Sequence, residues 1–87
     1  MPKTTDRTYH MLIVEDDPDI LMGLEEYFEL EEYEVQTAED GEAALQKMQD
    51  MEQCDVVLLD VMLPKKDGFE VLRESQEMGF SAPILMI

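Results

Sequence analysis

Short apolar runs alternate with amphipathic stretches along this chain. Met11-Leu12-Ile13-Val14 is continuously apolar and ends at Glu15-Asp16-Asp17-Pro18. Four apolar residues without alternation suit a strand covered on both faces. Pro18 fits the first turn of a helix, where a missing N–H costs nothing, and Asp17 is a good cap before it. Ile20, Leu21, Leu24, Tyr27 and Phe28 then recur at helical spacing and predict the buried stripe of a first helix. Gly23 lies inside it and costs about 1 kcal/mol relative to Ala, unless it permits close packing.

Residues Tyr33 to Ala38 read as a second strand, with Val35 and Thr37 on one face. Asp40-Gly41 breaks it. Glu42 to Met51 follows as a helix, with Ala44, Leu45, Met48 and Met51 facing inward. Asp55 to Asp60 reads as a third strand around Val56-Val57-Leu58-Leu59. Pro64 to Gly68 is a loop. Phe69 to Met78 is a third helix, with Phe69, Val71 and Leu72 inside and Gly79 as its C-terminal cap. Pro83 to Ile87 starts a fourth buried strand. Strands alternating with helices imply βαβ units, a parallel sheet and right-handed crossovers. The fold class is α/β, in a single domain over residues 9–87 after a disordered lead-in at 1–8.

Composition narrows the function. The 87 residues carry 22 acidic and 6 basic side chains, a formal net charge of -16. Phosphate contacts need Lys and Arg, so nucleic-acid binding by this segment is not expected. Cations and basic partner surfaces are. A hydrophobic content of 45% is that of a globular chain. No apolar run is long enough to span a bilayer, and the first residues lack the apolar centre of a signal peptide. One cysteine, Cys54, permits no internal disulfide, which fits a cytoplasmic location. It reads as a packing residue or a surface thiol. His10 reads as a surface residue, and the eight methionines as filling on buried faces.

The candidate chemistry sits where strands end. The first strand runs into Glu15 and Asp16, and the third into Asp60. In a parallel sheet these ends share one edge. If strands one and three are neighbours, with strand two outside, the order reverses between them and opens a crevice. Carboxylates meeting there repel by about 4 kcal/mol per pair at about 4 Å and an effective dielectric near 20. A divalent cation removes that cost. Oxygen-only ligands select a hard ion, and a few carboxylates leaving room for water suit Mg²⁺. An aspartate so placed can act as a nucleophile toward phosphorus. For Asp17 and Asp19 the plainer reading, a helix cap and a solvated turn residue, is preferred.

These residues resemble a family. Leu12-Ile13-Val14-Glu15-Asp16-Asp17, Val57-Leu58-Leu59-Asp60-Val61-Met62-Leu63-Pro64 and Asp67-Gly68 are similar to the receiver domain of two-component response regulators, with Met62-Leu63-Pro64 nearest to the winged-helix transcription factors. The crevice rule above draws on proteins of this same strand order, so it is not independent of the resemblance. The resemblance implies a flavodoxin-like sheet of order 2-1-3-4. It assigns Asp60 as phosphoacceptor and Asp16 as a direct Mg²⁺ ligand. Glu15 would ligate largely through water, and Met62 through its backbone carbonyl. Pro64 and Gly68 would shape the loop. The implied phosphodonor is a sensor histidine kinase, and the receiver promotes the transfer itself without being a turnover enzyme.

The resemblance stops at Ile87. A phosphate-sensing Ser or Thr, a phosphate-gripping Lys, and the fourth helix, fifth strand and fifth helix have no counterpart in these residues. A (βα)3β piece is therefore expected to leave apolar faces of strands one, three and four uncovered, to self-associate and to be impaired in signalling. A second reading is a half-domain that assembles through its open sheet without activity. A haloacid-dehalogenase-like phosphatase wants an acid two residues after the nucleophile, where Met62 stands. A calcium loop at Asp17 to Phe28 lacks the ligand periodicity, and no dinucleotide-binding glycine pattern follows the first strand.

Overall fold

The computed structural model describes residues 8–87. The elements run β1 (His10–Val14), α1 (Pro18–Leu30), β2 (Glu34–Ala38), α2 (Gly41–Asp50), β3 (Val56–Leu59), α3 (Gly68–Glu77) and β4 (Ile84–Met86). They form one four-stranded sheet in the order β2-β1-β3-β4, every pairing parallel. The expected 2-1-3-4 order and α/β class are as observed. The expectation for residues 1–7 lies outside the described residues; Thr8 and Tyr9 precede the first strand.

Each helix begins where a side chain replaces the missing backbone acceptors. The Asp17 carboxylate accepts the N–H groups of Asp19 and Ile20 at 2.9 and 3.3 Å, with Pro18 next in line. Asp40 accepts from Ala43 at 2.8 Å. Asp67 and Glu70 form a reciprocal capping box at the start of α3. Gly79, at φ +83, ends α3 as expected, because a side chain there would be strained.

The register explains the core. Leu12 pairs with Val57, and Val14 with Leu59; all four are fully buried under α2 and α3, with Ala44, Met48 and Val71. Met11 and Ile13 point to the other face, where Leu21, Leu24 and Phe28 of α1 cover them. Burial of such side chains stabilises by roughly 1.5–3 kcal/mol each. An exposed pair such as Arg73–Glu77, at 3.3 Å, adds about 1 kcal/mol at most. The apolar strands therefore decide the fold.

Several expectations about burial are corrected. Ile20 and Tyr27 are 50% and 58% exposed. Each precedes a residue of the true stripe (Leu21 and Phe28) by one position, about 100° around the helix. Phe69, at 63% exposed, is likewise displaced from the stripe Gly68, Val71 and Ser75. Only Met11 and Met48 of the described methionines are buried, whereas Met22, Met62 and Met78 are exposed. Met22 is off the stripe of α1, Met62 is in a loop and Met78 is a helix cap. Gly23 serves no close contact, since nothing lies within 4 Å of a Cβ built there. Cys54 is half-buried against the core and is a packing residue. Strand one is not uncovered: Met11 and Ile13 are 3% and 0% exposed because α1 lies over them. Exposure grows across the sheet instead. Leu58 of β3 is half-buried, and its β4 neighbour Leu85 is 56% exposed.

Candidate functional site

The carboxylates converge because the sheet register places the strand ends side by side. The Val14–Leu59 pairing is the last between β1 and β3. The ladder then continues past both strands: the Asp60 N–H donates to the Val14 carbonyl at 3.1 Å, and the Glu15 N–H to the Ala38 carbonyl at 3.1 Å. Glu15 and Asp60 thus enter the reversal point between β1 and β3 with their backbones fixed. Glu15, Asp16 and Asp60 each offer an oxygen within 4.8 Å of the others. All three acidic residues singled out in the sequence are brought together here.

The three differ in surroundings. Glu15 is buried, at 6% exposed; Asp60 is half-buried; Asp16 faces solvent. The Glu15 carboxylate accepts the Asp17 N–H at 3.1 Å. Even so, burial raises its pKa above the usual carboxylate value, and the neighbouring Asp60 charge adds to the rise. Oδ1 of Asp60 accepts the Met62 N–H at 3.0 Å, which orients the carboxylate and holds the turn. The Met62 side chain is 80% exposed, so its role here is carried by backbone.

Among the described residues, the lysines nearest in sequence to Asp60 pair with other acids. Lys65 pairs with Asp40 at 3.5 Å, and Lys66 with Glu74 at 2.8 Å. Oxygen ligands around a shared point are the donor set of a hard divalent cation. The oxygens that Glu15, Asp16 and Asp60 offer therefore fit Mg²⁺.

Glycine geometry at the site escaped the sequence reading in part. A Cβ at Gly68 would lie 2.5 Å from the Asp60 carbonyl oxygen, which forces glycine where α3 starts behind the Asp60 turn. A Cβ at Gly41 would lie 2.6 Å from the Lys66 carbonyl oxygen. The sequence marks Gly41 only as a strand breaker; its contact depends on how α2 meets the β3–α3 loop.

Comparison with known proteins agrees with this geometry. Residues 11–87 match the family model described as the response regulator receiver domain. The chain is similar to the alkaline phosphatase synthesis transcriptional regulatory protein PhoP of Bacillus subtilis, at 43% identity over 88% of this chain and 32% of that protein. It is similar to the transcriptional regulatory protein CpxR homolog of Haemophilus influenzae, at 40% identity over 88% of this chain and 33% of that protein. It thus spans about a third of the length of these curated relatives. Among solved structures, it resembles the Thermotoga maritima response regulator TrrA in complex with Mg²⁺ and BeF, with a TM-score of 0.84 and 37% identity over 91% of this chain and 68% of that one. Among the described residues no helix is long and apolar enough to cross a membrane. Strand order, the carboxylate cluster at the reversal point and these matches agree: the chain belongs to the response regulator receiver domain family.

Proposed function

We propose that Asp60 accepts a phosphoryl group from a histidine kinase, with Mg²⁺ held by Glu15, Asp16, Asp60 and the Met62 carbonyl. The observation that carries this reading is the shared point of three carboxylates, with the neighbouring Lys65 and Lys66 paired to other acids. An Asp60 carboxylate oxygen attacks the phosphorus of phosphohistidine. A P–O bond forms, the P–N bond breaks, and its electron pair returns to the imidazole. A carboxylate attacks through an oxygen lone pair, so the step needs no separate base. The Met62 N–H holds Oδ1 and thereby orients the nucleophile toward the donor. When bound, Mg²⁺ supplies the positive charge that lets the carboxylates and a phosphoryl group share the pocket. The chain promotes its own modification and then carries the phosphoryl group, which is signalling and not turnover catalysis. Cytoplasmic location and a winged-helix output in the whole protein accompany this reading.

A two-dimensional amide NMR spectrum with added Mg²⁺ tests it. Saturable shifts at Asp16, Asp60 and Met62, followed by an added phosphoryl mass on Asp60 with acetyl phosphate, are expected. A dispersed spectrum that ignores Mg²⁺ would overturn the metal assignment. Modification at another aspartate would overturn the choice of acceptor.

A second reading concerns the 87-residue polypeptide alone. Leu85 and Ile87 are exposed beside the half-buried Leu58, and neither belongs to the cluster that α1 covers. Self-association through them accounts for this exposure and would accompany impaired signalling.

A further inference from the structure

We infer that Gly41, at the start of α2, is a positioning residue for the Asp60 site. The inference rests on the proposed metal and acceptor roles and adds a residue to them. The end of β2 and the start of α2 border Glu15 on one side and the loop after Asp60 on the other. On one side the Ala38 carbonyl accepts the Glu15 N–H at 3.1 Å. On the other, the absent side chain of Gly41 admits the loop that follows Asp60. A Cβ there would lie 2.6 Å from both Cβ and the carbonyl oxygen of Lys66, and 2.8 Å from Cγ2 of Val71.

Two of these atoms belong to or adjoin backbone and cannot swing away. Ordinary contact needs about 3.5 Å, so a methyl at residue 41 displaces the Lys66 backbone by roughly 1 Å. That displacement has little room to dissipate. The loop is closed on itself by Lys66 N–H to the Pro64 carbonyl and Gly68 N–H to the Val61 carbonyl, both at 2.8 Å. At its far end, Gly68 already sits against the Asp60 carbonyl. The side-chain tethers of Lys65 to Asp40 and Lys66 to Glu74 hold the same contact from outside. The movement is therefore passed back toward Val61, whose carbonyl holds the Gly68 N–H, and Met62, whose N–H holds Asp60. Gly41 sets the distance between the β2–α2 turn and the metal-facing backbone.

The test compares Gly41→Ala with Ala44→Gly by amide NMR, first metal-free and then with Mg²⁺. Ala44→Gly loosens the same helix one turn on without adding an atom at the loop. Gly41→Ala is expected to shift the Asp60 and Met62 amides in the metal-free protein and to weaken Mg²⁺ by about tenfold, the usual scale for residues that support ligands from behind. Ala44→Gly should leave both near the parent. Equal Mg²⁺ affinity in Gly41→Ala and the parent, with shifts confined to α2, would overturn the inference. If the parent ignores Mg²⁺ while Gly41→Ala still moves the Asp60 and Met62 amides, the metal assignment fails and the coupling stands. If Gly41→Ala loses its dispersed spectrum, Lys66→Gly in the same chain decides. Return of the spectrum supports the contact, and no return overturns it.

Discussion

The Met62 amide donates to Oδ1 of Asp60 at 3.0 Å, so the residue two positions beyond the acceptor fixes the plane of its carboxylate. An asparagine at position 60 keeps an oxygen for this bond while removing the negative charge. Asp60→Asn is therefore expected to fold, to take no phosphoryl group, and to melt higher without metal, by on the order of 1 kcal/mol, because a like charge leaves the cluster. Thermal melts in EDTA and intact-mass measurement after acetyl phosphate check this. A clear loss of metal-free stability in both Asp60→Asn and Asp16→Asn would count against a shared pocket.

The Met62 side chain is 80% exposed and the backbone makes its contacts. Met62→Ala should leave Mg²⁺ affinity unchanged in a calorimetric titration. A large weakening would mean that the thioether takes part.

Glu15 gives the metal-free protein a pH dependence. Its pKa is raised in the fold, first by burial and then by the Asp60 charge. The folded chain therefore holds this proton at pH values where the unfolded chain has released it. Stability from this group is full below its ordinary value of 4.5 and is lost as pH rises through the raised value. Melts in EDTA should fall over that window relative to Glu15→Gln, which lacks the titration. Parallel curves for the two proteins would refute the linkage.

Gly23 is exposed in α1 and a Cβ there meets nothing within 4 Å. Gly23→Ala should stabilise by about 1 kcal/mol through helix propensity alone. A denaturant midpoint that does not rise would point to an unseen need for glycine.

The 87-residue polypeptide should self-associate at high concentration through the face carrying Leu58 and the 56% exposed Leu85. Leu85→Lys should lower the light-scattering mass toward a monomer. A compact monomer in the parent at the same concentration would exclude this behaviour.

The sequence by itself determined the elements and the acids at the strand ends. Val56 to Leu59 read as a strand and Asp17-Pro18 as a helix start, because apolar runs and capping are local signals. The same locality put Glu15, Asp16 and Asp60 at strand ends. Tertiary structure decided the rest. Periodicity could not say how wide the covered stripe is, so Ile20, Tyr27 and Phe69 turned out exposed where no second element meets them. Nor could it show that α1 alone would cover Met11 and Ile13. The approach of Gly41 to Lys66 joins residues 25 positions apart and exists only because α2 and α3 pack on one face of the sheet. Distances of that kind are fixed by how elements meet, and no single segment of the chain encodes them.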